Sequence, residues 1–321
     1  MPEERLRSFL VGLAYGVRGS GPSSFSGCWF ESGILHLHGI GWRGISSLLA
    51  LDRRQKIVWT EHSKGSALRE WEMLYGTSFV KVWGAKVKDA YEVLLQRADR
   101  IIFPSRGALK LFEDYTGWTI PSGRLRIIHN GIEDPLHALL DCSPSVPERG
   151  LFVTVAQHVP EKGLDWVLEG LALVKRPWRW VVVGEFTPWT AYLEGLVRRY
   201  RLESNVSFVG PLPRRETLAW VARSEAVIHA PRVAVFDLAL LEAMALSKPV
   251  LATPVGGNVE ALGEGYPLFV RAPEQLARFI DDEGSMDLFA SAGEGNRKRF
   301  VGEYTLSAMV ERYLSLYEEL C

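Results

Sequence analysis

The sequence predicts an α/β protein of two doubly wound, parallel-sheet domains. Three observations carry this. Short apolar runs alternate with helix-length amphipathic segments along most of the chain. A turn-rich stretch, DCSPSVPERG at 141–150, interrupts the alternation near the middle. The length of 321 residues suffices for two domains of about 100–200 residues each.

In the first half, strands are expected at SFLVGLA (8–14), ILHLHG (34–39), KIVWTEH (56–62), RIIFPS (100–105) and LRIIHNG (125–131). Helices over 43–51, 84–97 and 105–115 fill the gaps. In the second half, strands are expected at LFVTVAQ, RWVVVGE, VSFVG, AVIHAP, PVLATPV and PLFV. The intervening helices fall at about 162–175, 189–202, 214–223, 238–246, 257–262 and 273–282. Two further helical stretches, with apolar residues at spacings of three and four, close the chain. The linker divides it into a first domain over 1–145 and a second over 146–300, with a helix at 301–321 expected to pack across the junction. Two such domains facing each other would form a cleft at the carboxyl ends of their strands, where folds of this kind bind ligands.

Composition narrows the function. A hydrophobic share of 47% with 23% charged residues is that of a soluble globular protein. No apolar run approaches the ~18 residues of a membrane span. The opening MPEERLRSFLVG has mixed charge and no signal-peptide core, so a cytoplasmic location is expected. A net charge of −1 gives no basic field for nucleic acid. The segment 81–110 holds seven basic residues against three acidic ones. It reads as a solvated face, with weak peripheral contact to an anionic inner-membrane surface as the alternative. Arg-rich, Asn- and Gln-poor composition fits a thermophile or a GC-rich genome. Cys28, Cys142 and Cys321 are too far apart in sequence to suggest a metal or redox pair.

Anion-binding chemistry is expected where a strand end meets a helix start, because first-turn amides lack partners and the helix dipole adds to their pull. VFDLALLEAM offers the amides of Phe236, Asp237 and Leu238 before a helix carrying Glu242. PVGGNVEAL would let backbone approach a ligand at Gly256 and Gly257. Lys162 is expected at a helix start, a poor place for a cation unless an anion binds nearby. His36 and His38 look like a metal pair but are read as pointing to opposite faces of their strand, so no metal is assigned.

These pieces, in this order, resemble one family. VPEKGLD, VVVGE, NVSFVGPLPRRETLAWVARSEAVIHAP and LALLEAMALSKPVLATPVGGNVEAL, with ILHLHG, VWTEHS, ADRIIFPS and LRIIHNGIED before them, resemble the retaining nucleotide-sugar glycosyltransferases of family four. The resemblance implies the B-type fold, two Rossmann-like domains across a cleft, with the first domain trimmed. It also implies a nucleoside diphosphate sugar, UDP- or GDP-linked, as donor, a sugar or lipid-linked hydroxyl acceptor, and no cofactor. Glu242 would accept hydrogen bonds from the ribose hydroxyls, Lys162 would neutralise the pyrophosphate, and Gly256 and Gly257 would lie near it. Leu212 falls where backbone meets the base, His62 would face the donor sugar, and Gly19 and Gly21 approximate the acceptor-side glycine loop.

Three positions depart from the family pattern. Ala234 stands where the first glutamate of the Glu, seven residues, Glu signature would contact the donor sugar. Gln157 replaces an arginine partner of Lys162, and Asp237 replaces a glycine beside the phosphates. Ala234 admits three readings: an engineered change, a divergent enzyme, or a non-catalytic member that keeps the nucleotide-sugar cleft. A sugar-nucleotide epimerase shares the fold but not the motifs.

Overall fold

The computed structural model describes residues 33–39, 56–75, 77–139, 146–282 and 284–321. Gly19, Gly21, Cys28 and Cys142, the strand expected at 8–14 and the helix expected at 43–51 lie outside the described residues. The chain forms two compact units, residues 1–130 with 306–321, and residues 131–305.

In the first unit, strands β1 (Ile34–His38), β2 (Lys56–Thr60), β3 (Arg100–Phe103) and β4 (Leu125–Ile127) form a parallel sheet in that order. Helix α1 (Ala67–Tyr75) was not expected, and α2 (Thr77–Arg97) begins seven residues before the expected 84. The start of α1 is fixed by Ser66, whose hydroxyl accepts the Arg69 N–H at 3.2 Å. Helix α3 (Arg106–Thr116) has both of its ends written in the sequence. The Ser105 hydroxyl accepts the Ala108 N–H at 2.9 Å, a cap worth about 1 kcal/mol. Gly117 then ends the helix in the left-handed region at φ 73°. Trp59, Tyr91, Phe103 and Phe112 pack as tilted and edge-on rings in the core of this unit.

The second unit carries a five-stranded parallel sheet. Its strands are β5 (Glu148–Val155), β6 (Arg179–Val183), β7 (Val206–Gly210), β8 (Ser224–His229) and β9 (Val250–Ala252), in the order β7-β6-β5-β8-β9. Helices α4 (Leu164–Leu171), α5 (Thr190–Tyr200), α6 (Arg214–Arg223), α7 (Leu238–Ala245), α8 (Gly257–Leu262) and α9 (Pro273–Asp281) connect or follow the strands, and α10 (Ser285–Glu303) comes next. The chain's return from β7, at one edge, to β8, beside β5, makes a doubly wound switch point between β5 and β8, where such sheets present their loops to a ligand. Thr154, Trp180 and Ile228 illustrate how tightly the centre is fixed. The indole N–H donates to the threonine hydroxyl at 2.9 Å, and that hydroxyl donates to the Ile228 carbonyl at 2.7 Å.

Three expectations are corrected. The helix expected from 162 is a 3-10 turn, Pro160–Lys162, ended by Gly163 at φ 65°, with α4 starting after it. The strand expected at PLFV is a single bridge, Phe269 to Ala252, because β9 is three residues long and Ala252 alone is bracketed by Leu268 and Val270. The division falls after Asn130 rather than at 145. Residues past 130 are held by the second unit: Ile132 bridges to Thr305, and Asp134 pairs with Arg297 at 2.6 Å. The last helix, α11 (Leu306–Glu318), belongs to the first unit, burying Met309, Val310, Tyr313 and Leu316 with Val58, Ile102 and Ile128.

Candidate functional site

In the second unit Gln157 and Lys162 follow β5, Leu212 follows β7, Ala234 and Asp237 lie between β8 and α7, Glu242 is on α7, and Gly256 and Gly257 follow β9. Asp237 occupies the N-cap position of α7, in extended conformation, yet its carboxylate does not cap the helix. It turns instead to two cations or potential cations. Lys162 Nζ donates to Asp237 Oδ2 at 2.8 Å, and His229 Nε2, from the end of β8, lies 3.3 Å from the same oxygen. Burial alone would raise the Asp237 carboxyl, but His229 and Lys162 outweigh it and hold the group well below the usual carboxylate range. The amine read as a pyrophosphate ligand is therefore engaged by the chain's own carboxylate.

Glu242, in the second turn of the same helix, is also paired. Arg214 Nε donates to Glu242 Oε1 at 3.0 Å. Arg214 opens α6 two residues after Leu212, so this contact ties the ribose candidate to the loop read as the base site. Lys162 and Glu242, 80 residues apart in sequence, thus both attach to the first two turns of α7. The helix proper begins at Leu238, so the first-turn amides lie from Leu238 onward. Phe236 stands before it, its ring buried edge-on against Tyr304 at 5.4 Å.

Gly256 and Gly257 make room for a close backbone approach. A Cβ on Gly256 would meet the Ala234 carbonyl oxygen at 2.1 Å, and one on Gly257 the Val235 carbonyl oxygen at 2.1 Å. The backbone that comes close is the chain's own, and the Gly257 N–H donates to the Ala234 carbonyl at 3.0 Å. Ala234 itself is buried. Gln157 donates its side-chain amide to Glu185 across the ends of β5 and β6.

Sequence reasoning passed over His229, Arg214 and Arg232. Arg232 forms a two-pronged pair with Asp165 at 2.9 and 2.8 Å, and its N–H donates to the Glu161 carbonyl at 2.7 Å. It thereby fastens the turn that presents Lys162 to the loop after β8. The available signal was position: each of the three stands at or just beyond the end of a strand in a parallel pattern.

In the first unit, His62 lies two residues beyond β2, with its ring turned toward His38 and the residue partly open to solvent. His38 Nδ1 is 2.9 Å from His62 Nε2. His36 and His38 share one face of β1, with ring centroids 4.2 Å apart, contrary to the opposite faces expected. A strand repeats every two residues, so positions 36 and 38 must agree. His36 bonds the Thr60 hydroxyl at 2.8 Å and the Tyr317 hydroxyl at 2.5 Å. The loop bearing His62 is held by the buried Glu61, which accepts the Ser63 N–H at 2.8 Å and the Tyr91 hydroxyl at 3.0 Å. Among the described residues, no three or more His, Cys, Asp or Glu side chains converge as metal ligands would, and no helix is long and apolar enough to cross a membrane.

Comparison with known proteins agrees with this architecture. Residues 149–282 match the family model described as Glycosyl transferases group 1, and residues 30–134 match Glycosyltransferase Family 4. The Escherichia coli protein WcaC, named for glycosyl transfer in colanic acid biosynthesis, is 25% identical over 241 residues, 73% of this chain and 56% of its own length. Alpha-D-kanosaminyltransferase of Streptomyces kanamyceticus is 24% identical over 183 residues, 54% of this chain and 46% of its own. The chain spans about half the length of the curated relatives it matches. Among solved structures, Anabaena Alr3699/HepE in complex with UDP and glucose aligns with TM-score 0.67 at 17% identity, covering 88% of this chain and 77% of that one. A glycosyltransferase from Rickettsia africae aligns with TM-score 0.68 at 18% identity, covering 92% and 83%. At such identities the structural likeness speaks for the fold, and the family models speak for descent. One glycosyltransferase model thus matches in each parallel-sheet unit, in the order the motifs require, and the chain is similar to glycosyltransferases of the family-four type along both.

Proposed function

We propose that the chain transfers a sugar from a nucleoside diphosphate carrier to a hydroxyl acceptor, with retention of configuration and without a metal. The observation that carries this reading is the convergence of Lys162 and Glu242 on α7. One helix start joins an amine, the amides of Leu238 and Ala239 and a carboxylate in the second turn, which suits a pyrophosphate followed by a ribose. In the transfer, the bond from the sugar's anomeric carbon to phosphate breaks and a bond to the acceptor oxygen forms on the same face. The acceptor's proton passes to the departing phosphate. Lys162 and the amides stabilise the charge that grows there, so positioning and electrostatics supply the rate enhancement.

Asp237 sets the condition for donor entry. Lys162 must exchange a carboxylate for the phosphates, and His229 remains beside Asp237 to receive part of its charge. UDP is the first nucleotide to test, because the Anabaena neighbour was solved with UDP and glucose; GDP is the second. Sugar- and lipid-linked hydroxyls are the acceptor classes, and the basic excess over 81–110 supports peripheral contact with an anionic inner-membrane surface.

A second reading has its own support. Ala234 lacks the carboxylate expected at the sugar, and Gln157 is bonded to Glu185 rather than supplying a cation. A member that binds the nucleotide sugar without transferring it would look like this. Calorimetry with UDP, GDP, ADP and their sugars, followed by product analysis with the tightest binder, separates the readings. Binding with product supports transfer, binding without product supports the second reading, and no binding by any nucleotide contradicts both.

A further inference from the structure

His38 ends β1 and reaches across to His62 in a geometry that leaves little freedom. The two rings are within 11° of parallel and their centroids are 5.2 Å apart, with 2.9 Å between His38 Nδ1 and His62 Nε2. That centroid distance is what two imidazoles give when joined nitrogen to nitrogen in one plane, which is the direction of an imidazole lone pair and N–H. His38 is backed by His36 at 4.2 Å, and His36 is pinned in turn by Thr60 and Tyr317. His38 Nε2 is buried and has no hydrogen-bond partner among the described residues.

From this arrangement we propose that His38 is a positioning residue: it donates Nδ1–H to His62 Nε2, fixes His62 as the Nδ1–H tautomer, and leaves that N–H as the donor His62 offers to an oxygen of the donor sugar. The last clause rests on the reading of His62 given above; the first two do not.

The proton assignment follows from the unpartnered atom. Burial lowers both imidazoles to about 4, His38 further through the His62 charge, so both rings are neutral at pH 7 and one proton lies between the joined nitrogens. If His62 supplied that proton, His38 would carry its own on Nε2, and a buried N–H would have no acceptor. Orphaned buried donors are rarer in folded proteins than under-used acceptors. With the proton on His38 Nδ1, the atom left over is a bare lone pair, and His62 must carry its proton on Nδ1.

Nitrogen-15 NMR of the histidine-labelled full chain at pH 7.5 reads the tautomers directly, with no substrate present. The expected result is a protonated Nδ1 and a bare Nε2 on His62, and the same pattern on His38. In His38→Leu the His62 signals should move toward an average of the two tautomers. In His38→Asn, whose amide nitrogen falls near the lost Nδ1, they should stay close to wild type. Product formation from UDP-sugar should fall about tenfold or more in kcat with His38→Leu and recover most of that loss with His38→Asn. A His62 protonated on Nε2 in the wild type overturns the proposal, even if no variant folds. Tautomers as expected with turnover indifferent to His62→Phe overturn the link to the donor sugar alone.

Discussion

At Asp237 a carboxylate stands where an anion is expected to bind, and its neighbours explain how it is tolerated. Lys162 neutralises it, with His229 Nε2 beside the same oxygen, at the cost of engaging the amine that a pyrophosphate would need. Asp237→Asn keeps the shape of the side chain and removes the charge. UDP affinity, measured by calorimetry, should then tighten on the order of tenfold, about 1.4 kcal/mol; an unchanged Kd would mean that Lys162 is not the phosphate's partner. The histidines of the first unit give a pH signature. His38 and His62 hold out against protonation to about 4, by burial first, whereas unfolded imidazoles take protons near 6.5. Their contribution to stability is therefore complete above about 6.5 and is lost as the pH falls through 4. Thermal melting between pH 7.5 and 4.5 should show this decline, and His38→Asn with His62→Asn should reduce it, the remainder coming from His36, which burial also holds below its ordinary value. The oddity of Asp237 was legible in the sequence. Its pairing with Lys162, 75 residues away, was not, because only the parallel sheet places the ends of β5 and β8 side by side. The shared face of His36 and His38 was legible from the period of a strand.

At the scale of elements, long apolar runs announced themselves and short irregular features did not. The β-branched cores of β5, β6 and β8 were readable because a strand buried on both faces needs no alternation. Helix α1 was missed because its nine residues are few and its capping serine sits in an otherwise turn-like SKGS. The Gly256–Gly257 turn shows the limit of reading glycines from sequence. A glycine pair says that something approaches, and here the approach is made by the 234–235 backbone. Gly256→Ala would force a Cβ into the Ala234 carbonyl at φ 43°, so it should cost roughly 2–4 kcal/mol in denaturant midpoint analysis. Gly195→Ala, within α5 and with nothing near its Cβ, should be neutral or stabilising by roughly 0.5–1 kcal/mol. Equal effects at the two sites would show that the turn can yield.

At the scale of the whole molecule, the chain visits one unit, builds the second, and returns with α11 to complete the core of the first. The Pro- and Ser-rich stretch drew the expected boundary to 145, yet the physical division is set by which side chains bury where. Ile132 and Asp134 already belong to the second unit. Two parallel sheets, each with a glycosyltransferase family match, make nucleotide-sugar binding the expectation that the remaining chemistry depends on. The most direct test is calorimetric titration of UDP into the wild-type chain and into Lys162→Ala. Binding by the wild type, weakened about tenfold or more in the variant, is the expected result; equal affinity in the two proteins would contradict the placement of the pyrophosphate at the start of α7.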